Sequence, residues 1–363
     1  MVSGNYKKIR RNYMKKSHLL KILSFVLIAL FALSAVACGE KAEDGGNVAD
    51  ADGADVADSV VSEGDKPTEV EITDIYGKVT VPVNPAVVVA LDNRTFETLE
   101  AWGVKLAAGP KAVMPASVGY KTDDSVADIG SHNEPNLEVI AAVNPDLVII
   151  GQRFAGRYDE IKALVPNAVV ISLNFDVSVE AESSADNLVN GFKDFTLALG
   201  QIFDKNAEAA KLAADFDAAI ANVKAAYNGT DTIMTVIVSG GNIGFSAPHS
   251  GRVWGPLYGI FDWKSSLDID NSSSDHQGDN ISVEAIAQSN PDWIFVLDRD
   301  AMNASADGYV PASDVIANSP ALANITAVTN NQMVFAPNDT YVNESIQTFT
   351  KLFNDLAIAL AAK

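Results

Sequence analysis

Two stretches of the sequence, LEVIAAVNPDLVIIGQRF at residues 137–154 and VEAIAQSNPDWIFVLDRD at residues 283–300, share one design. They align without a gap at an offset of 146 residues, and seven of the 18 aligned positions are identical. Each reads as a short helix, an Asn-Pro-Asp turn and a strand, because proline ends a helix and directs the chain onward. The alternative is chance similarity between two common units, which the ungapped agreement disfavours. The repeat therefore predicts two lobes of similar design.

Six short apolar runs do not alternate between apolar and polar residues, which is typical of strands covered on both faces. These runs are 86–91, 147–150, 168–173, 233–238, 293–297 and 333–336. Helical patterns lie between them at 95–102, 137–143 and 283–288, and Asn136 and Ser282 are suited to N-capping the last two. Alternating strands and helices predict an α/β fold of two Rossmann-like lobes with mostly parallel sheets.

The longest helical stretch, 185–226, lies between the two sets of strands, and Gly200 and the segment 203–206 are expected to break it. Its second part ends at Asn228 and Gly229, a typical helix stop. We predict an N-terminal lobe at 67–203, an interlobe helix at 204–229 and a C-terminal lobe at 230–363.

Residues 1–37 read as an export signal. Seven Lys or Arg residues precede an apolar run at 22–37 that ends in small residues, as in a cleaved signal peptide. The run is short for a membrane span, which needs about 20 apolar residues. Met14 is an alternative start, because Lys15 and Lys16 alone supply a basic n-region.

Cys38 is the only cysteine and follows in LSAVACG at 33–39. The stretch resembles a bacterial lipobox, with Ala35 where leucine is usual, and predicts lipidation of Cys38. The alternative is an ordinary signal peptide with an incidental cysteine. Residues 38–66 are small, acidic and free of aromatic side chains, so we expect a disordered tether. The protein is thus expected at the extracytoplasmic face of the cell membrane, held by a lipid anchor.

The chain beyond residue 37 is strongly acidic. It carries 19 basic and 47 acidic residues, a formal net charge of −28. Such a surface repels nucleic acid, so we expect no nucleic-acid partner. Since basic residues are scarce, each one near a predicted site is informative.

Three arginines are predicted to converge on an anion. In open α/β sheets ligands bind beyond the carboxyl ends of the strands, and Arg153 and Arg299 directly follow two predicted strands. Arg252 lies in the Gly/Pro/Ser-containing loop FSAPHSGR at 245–252. Guanidinium groups stay charged and donate several hydrogen bonds to anions. The alternative for each arginine is a surface salt bridge.

Catalytic patterns are missing from the sequence. It contains no nucleophile elbow, P-loop or zinc-protease helix, so we expect a protein that is not an enzyme and needs no cofactor. Beyond the signal only His132, His249 and His276 occur, and no two have tight metal-ligand spacing.

Four motifs carry a family resemblance: YGKVTVP at 76–82 leading to NP at 84–85, NPDLVIIGQR at 144–153 with Tyr158 following, FSAPHSGR, and NPDWIFVLDR at 290–299. With them, residues 68–361 resemble the substrate-binding lipoproteins of bacterial iron–siderophore ABC importers, in the catecholate (petrobactin/enterobactin-type) group of the periplasmic-binding-protein family. The resemblance implies a class III periplasmic-binding-protein fold, in which one long helix joins the lobes. It also implies a monomer that takes up a ferric siderophore between the lobes and delivers it to an ABC permease.

The resemblance also implies roles for single residues. Three arginines grip the ferric complex in the catecholate group, and they match Arg153, Arg252 and Arg299. A tris-catecholate Fe(III) complex is about triply anionic and rich in oxygen acceptors, which suits guanidinium groups. A histidine and a tyrosine can coordinate iron at open positions, and they match His276 and Tyr341, although an insertion follows His276.

One glutamate on each lobe docks to permease arginines in related binders, and these match Glu138 and Glu284. The alternative is a carboxylate that is favourable near a helix N-terminus, and both roles are compatible.

Three other functions stay open at this point. The same fold could bind haem, a cobamide or a hydroxamate siderophore. An exported α/β enzyme could act on an anionic substrate, although no nucleophile–base pair stands out. A zinc or manganese receptor is disfavoured by the shortage of histidines and by the arginines.

Overall fold

A computed structural model describes residues 67–178 and 181–363. The predicted signal peptide, Cys38 and the acidic tether lie outside the described residues, so the structure leaves them as predictions.

The described chain opens with an antiparallel hairpin of β1 (Glu69–Asp74) and β2 (Gly77–Pro82). The Asp74 carboxylate accepts hydrogen bonds from the N–H groups of Tyr76 and Gly77 at 2.8 and 3.1 Å. Gly77 has φ 128°, which glycine adopts without steric cost. The start of the YGKVTVP motif is therefore a turn.

A first parallel sheet has the strand order β5-β4-β3-β6-β7. Its strands are β3 (Val88–Leu91), β4 (Leu106–Gly109), β5 (Ala127–Asp128), β6 (Leu147–Ile150) and β7 (Val169–Ser172). Along β6, Leu147 and Ile149 enter one hydrophobic core and Val148 and Ile150 enter another. Because helices cover both faces, the strand is apolar throughout, as predicted.

The second sheet has the order β10-β8-β11-β12, and β9 pairs antiparallel with β8. Its strands are β8 (Thr232–Ser239), β9 (Asn242–Phe245), β10 (Lys264–Ser265), β11 (Trp293–Asp298) and β12 (Met333–Phe335). Trp293 and Phe295 enter one core, and Ile294 and Val296 enter the other. The repeat thus gives β6 and β11 equivalent interior places, each beside the first parallel strand of its sheet.

The α-helices surround these sheets. They are α1 (Phe96–Ala101), α2 (Glu138–Ala142), α3 (Tyr158–Leu164), α4 (Ser184–Ile202), α5 (Asn206–Ala226), α6 (Gly255–Phe261), α7 (Val283–Ser289), α8 (Ala312–Ala317), α9 (Thr326–Thr329) and α10 (Ile346–Ala361). The break predicted at 203–206 is confirmed, because α4 ends at Ile202 and α5 begins at Asn206, whereas Gly200 lies within α4 and does not break it.

Helix α4 contributes to the cores of both sheets. Leu188 and Phe192 in its first half pack in the core of the second sheet, whereas Phe195 and Leu199 pack in that of the first. Helix α5 packs against α10 in the core of the second sheet. The lobe boundaries given by the sequence remain a prediction.

One predicted helix cap is confirmed and one is wrong. The Ser282 hydroxyl accepts a hydrogen bond from the N–H of Ala285 at 3.1 Å, which caps α7. Helix α2 has Leu137 at its N-cap, without a side-chain cap, so Asn136 does not perform the predicted role. The two repeats therefore differ at the helix start.

The asparagines of the repeated Asn-Pro-Asp turns end their helices in the left-handed region. Asn144 has φ 47° and Asn290 has φ 44°. Asparagine tolerates this conformation better than most residues other than glycine. The backbone conformation at this position therefore explains why both copies of the repeat have asparagine.

The aspartates of the same turns bind the start of the neighbouring strand. Asp146 accepts hydrogen bonds from the N–H groups of Ala86 and Val87, both at 2.9 Å. Asp292 accepts from the N–H of Thr232 at 2.8 Å. Each aspartate therefore fixes the register between two adjacent parallel strands.

We expect Asp146→Ala to lower the free energy of unfolding by about 2 kcal/mol, because two backbone donors lose a charged acceptor. Urea denaturation followed by circular dichroism would measure this. Asp124→Ala, which removes an exposed aspartate, should change stability by less than about 0.5 kcal/mol. Equal stability of the two variants would contradict this role of Asp146.

Candidate functional site

The loop 336–345, between β12 and α10, lies against the N-terminal half of the chain. The Asn93 amide donates to the carbonyl oxygen of Val342 at 2.8 Å, and the Ser117 hydroxyl donates to the Asp339 carboxylate at 2.6 Å. The loop follows the last strand of the second sheet but is bound to residues near the first. The two halves of the fold therefore meet at this loop.

Glu344, a buried residue of this loop, binds side chains from both halves. Its Oε1 accepts from Arg252 Nη2 at 2.6 Å and lies 3.4 Å from Arg153 Nη2. Its Oε2 accepts from the Gln152 amide at 2.6 Å. Gln152 and Arg153 directly follow β6, whereas Arg252 belongs to the loop between β9 and α6. One carboxylate thus joins the carboxyl ends of strands from two sheets.

Arg94 is a third arginine near the Glu344 carboxylate, and it is almost fully buried. Its Nε lies 3.9 Å from Oε2 of Glu344, and its side chain is only 4% exposed. Its Nη1 donates to Asn174 at 2.9 Å, and its guanidinium lies 3.9 Å from the centre of the Phe175 ring. Arg94 is therefore held on several sides and acts as a fixed positive charge beneath Glu344.

The buried carboxylates here have shifted pKa values. Burial alone would raise the pKa of Glu344, but the charges of Arg252, Arg153 and Arg94 outweigh it and hold this pKa below its usual value. Burial raises the pKa of Asp92, which accepts a hydrogen bond from the N–H of Arg94 at 3.0 Å. Glu344 is therefore the ionised partner of the guanidiniums.

Tyr341 lies between two of the arginines predicted from the sequence. The guanidinium carbons of Arg252 and Arg299 are 4.9 and 5.1 Å from its ring centre, within cation–π range. Arg153 approaches its carbonyl oxygen at 3.5 Å, and Arg299 donates to the Ser239 hydroxyl at 2.8 Å. The structure thus brings together Arg153, Arg252 and Arg299, here called the arginine cluster.

Each arginine of the cluster has a buried donor without a partner. These are Arg153 Nη1, Arg252 Nε and Arg299 Nε, which find no acceptor within residues 67–178 and 181–363. Buried donors in folded proteins are normally hydrogen-bonded, and leaving them unpaired is costly. The cluster therefore has unused capacity for an oxygen-rich anion.

His132 and His276 lie in different surroundings. Burial, and then the positive charges of Arg153 and Arg252, lower the pKa of His132, so His132 lies near the arginine cluster. The side chain of His276 is 48% exposed, and its ionic neighbour is Asp275 at 3.9 Å. Among the contacts of the described residues, none joins His276 to the cluster.

A groove of about 670 Å³ adjoins Arg299 at Ser239. It runs along the β8–β9 hairpin to the loop after His276. Its lining includes Ser239, Asn242, Gln277, Asn280, Ser282 and Ser319. The groove therefore offers neutral hydrogen-bonding groups beside the charged cluster.

Glu138 and Glu284 are exposed in the first turns of α2 and α7. The structure thus places one carboxylate on the surface of each repeat. Neither is part of the arginine cluster.

Sequence reasoning missed Glu344, Arg94 and Gln152. Arg94 comes three residues after a predicted strand, so the rule that selected Arg153 and Arg299 could have found it. Glu344 had no such signal, because it is separated by more than 90 residues from each of its arginine partners along the chain.

Within the part of the chain that the structure describes, no helix combines the length and apolar character needed to cross a bilayer. The same residues contain no group of three or more His, Cys, Asp or Glu side chains placed to hold a metal ion.

The sequence profile of a family described as periplasmic binding protein matches residues 88–340. The petrobactin-binding protein YclQ of Bacillus subtilis is 30% identical over 264 residues, which cover 72% of this chain and 77% of YclQ. The ferric-anguibactin-binding protein FatB of Vibrio anguillarum is 28% identical over 291 residues, which cover 79% of this chain and 86% of FatB.

Solved structures share the fold. The crystal structure of YclQ matches with a TM-score of 0.66 at 25% identity, covering 80% of this chain and 98% of that one. The periplasmic catecholate-siderophore-binding protein VctP of Vibrio cholerae matches with a TM-score of 0.65 at 22% identity. This match covers 81% of this chain and 100% of VctP. These matches confirm the predicted α/β fold class.

We expect the acid sensitivity of the protein to depend on Glu344. Its pKa in the folded state lies below the unfolded value of about 4.3. Its contribution to stability is therefore complete above that pH and is lost as the pH falls through the folded pKa. Glu344→Gln should lower stability by about 3–5 kcal/mol at pH 7, and this deficit should shrink towards pH 3.

Urea denaturation of both proteins from pH 7 to pH 3 would test this. The charge of Glu344 also raises the pKa of Asp92, so the comparison is repeated in an Asp92→Asn background, where the difference between the two proteins isolates Glu344. A deficit that does not change with pH would contradict the assignment.

Proposed function

The chain belongs to the periplasmic binding protein family, and from this premise we propose that it binds a ferric siderophore at the arginine cluster and delivers it to an ABC importer. Its relatives are binding proteins of siderophore transport and not enzymes. This confirms the family resemblance and the prediction that the chain is not an enzyme.

The convergence of Arg153, Arg252 and Arg299 around Tyr341 carries this proposal. Three guanidiniums with unpaired buried donors favour a ligand with several anionic oxygens around one centre. A ferric catecholate complex has this character. Haem, cobamides and hydroxamate complexes present fewer anionic oxygens around a single centre, so a catecholate is the preferred ligand.

We propose different roles in ligand binding for Tyr341 and His276. The Tyr341 ring packs between two arginines, which supports a role in contacting the ligand beside them. His276 directly precedes Gln277, which lines the groove next to Arg299. We propose that a ligand extending along this groove would reach His276, where an open iron position could be filled.

The proposal includes attachment to the outer face of the cell membrane. Cys38 in LSAVACG would carry the lipid, and residues 39–66 would tether the binding unit. The protein would act as a monomer in front of its permease. Glu138 and Glu284 support this arrangement, because each repeat exposes one carboxylate to a partner.

We expect substitution of any arginine of the cluster by Gln to weaken ferric enterobactin binding roughly 10- to 100-fold, since one charge-assisted contact is worth about 1.5–3 kcal/mol. Quenching of tryptophan fluorescence during titration would give the dissociation constants. Trp254, which is buried two residues after Arg252, is a suitable reporter.

Arg157→Gln is a matched control for these variants. Arg157 also follows β6, but its side chain is half-buried and pairs with Glu160 at 3.0 Å away from the cluster contacts, so its loss should leave the affinity unchanged. Absence of quenching by every ferric catecholate at micromolar concentration would refute the ligand class. Equal affinity of the cluster variants and Arg157→Gln would refute the site.

We expect the double substitution of Glu138 and Glu284 by Lys to reduce cellular uptake of the ferric complex about tenfold, because charge reversal on both repeats repels a basic docking surface. The affinity in solution should stay the same. Uptake of radioactive iron by cells producing each variant would measure the effect. Normal uptake by the double variant, or an equal loss with the control Glu134→Lys, would refute docking through these glutamates.

A further inference from the structure

Glu344 is a buried titratable group for which the proposed ligand contacts give no role. We propose that it is an internal competitor for the arginine cluster: its carboxylate occupies guanidinium donors that an anionic ligand also requires, and thereby limits the affinity of the site. This inference rests on the proposed function, because it assumes that the cluster receives an anion.

The competition follows from the contacts of one oxygen atom. Glu344 Oε1 lies 2.6 Å from Arg252 Nη2 and 3.4 Å from Arg153 Nη2. A carboxylate oxygen and a catecholate oxygen are acceptors of the same kind for a guanidinium. The same N–H groups cannot bind both at full strength, so a bound anion weakens the contacts of Glu344.

The unpaired donors allow this exchange to occur in steps. Arg153 Nη1 and Arg252 Nε are buried and have no acceptor among the described residues, although both guanidiniums already contact Glu344. An incoming anion can first contact the exposed part of Arg252, whose side chain is 27% exposed, and the guanidiniums can then turn their unpaired donors from Glu344 towards it. On release, the carboxylate recovers them, so the empty protein does not keep bare charges.

Removing the charge of Glu344 has two opposite consequences for ligand affinity. It removes a repulsion of the anionic ligand, and it loosens the arginines that bind this ligand. An ionised carboxylate near the site repels every negative charge of the ligand, and water screens this repulsion little in a buried place. The arginines keep other contacts, because Arg252 packs on the Tyr341 ring and Arg153 approaches the Tyr341 carbonyl oxygen. Removal of the repulsion therefore outweighs the loss of ordering.

A purely structural clamp would behave in the opposite way. If Glu344 only held the arginines in position, its neutralisation would loosen them and weaken binding. Glu97 is a suitable comparison, because its carboxylate accepts hydrogen bonds from Asn343, Ser345 and Thr348 in the same region. These donors are neutral, and Glu97 contacts no arginine among the described residues.

The decisive experiment compares wild type, Glu344→Gln and Glu97→Gln in titrations with ferric enterobactin. We expect Glu344→Gln to bind at least tenfold more tightly, with slower dissociation in stopped-flow measurements. Glu97→Gln should stay within twofold of wild type. Ferrioxamine, a complex without negative charge, should not gain affinity. Equal or weaker binding of ferric enterobactin by Glu344→Gln would overturn the proposal.

A second measurement uses sulfate and does not depend on any siderophore. Without the carboxylate the guanidiniums lack an internal counter-ion, so sulfate should raise the unfolding temperature of Glu344→Gln more than that of wild type and Glu97→Gln. If Glu344→Gln folds only when sulfate is present, this result would also support the proposal. An equal rise in all three proteins would overturn the role of Glu344, whereas a wild type that binds no siderophore would refute only the proposed function.

Discussion

The contact of the Glu344 carboxylate with Arg153 and Arg252 is the interaction on which the candidate site depends. The two guanidiniums come from different sheets, and both reach one oxygen atom. Buried positive charges are costly unless they are paired and hydrogen-bonded. Without this carboxylate, Arg153 and Arg252 would face each other as like charges. The loop that carries Glu344 therefore connects Arg153 and Arg252 and balances their charges in the empty protein.

The repeat explains how the arginines reach this place, but not what they do there. In each copy the asparagine ends a helix, the aspartate fixes a neighbouring strand, and the arginine follows the strand. Arg153 then turns towards Glu344, whereas Arg299 turns to Ser239 and the Tyr341 ring. The two arginines therefore occupy equivalent backbone positions but contact different partners, because the side chains opposite them are not repeated.

The sequence predicted those features whose cause is local. Strands buried on both faces are uniformly apolar, so β6 and β11 could be located almost to the residue. The Asn136 cap was wrong, since a favourable residue type does not ensure the backbone position that capping needs. Glu344 could not be predicted, because its role arises only when distant segments meet. Its surroundings in the chain are ordinary loop residues, and no period or motif marks it.

A binding site built from arginines must be stable before its ligand arrives. Unpaired guanidiniums would weaken the empty protein, whereas a permanent and strong counter-ion would prevent an anion from binding. The arrangement at Glu344 lies between these limits, because one carboxylate faces three guanidiniums and leaves several of their donors unused. If the cluster receives its anion as proposed, stability of the empty protein and affinity for the ligand are set against each other at this single side chain. A transport protein that must release its ligand to a permease benefits from such a balance, since maximal affinity would slow delivery.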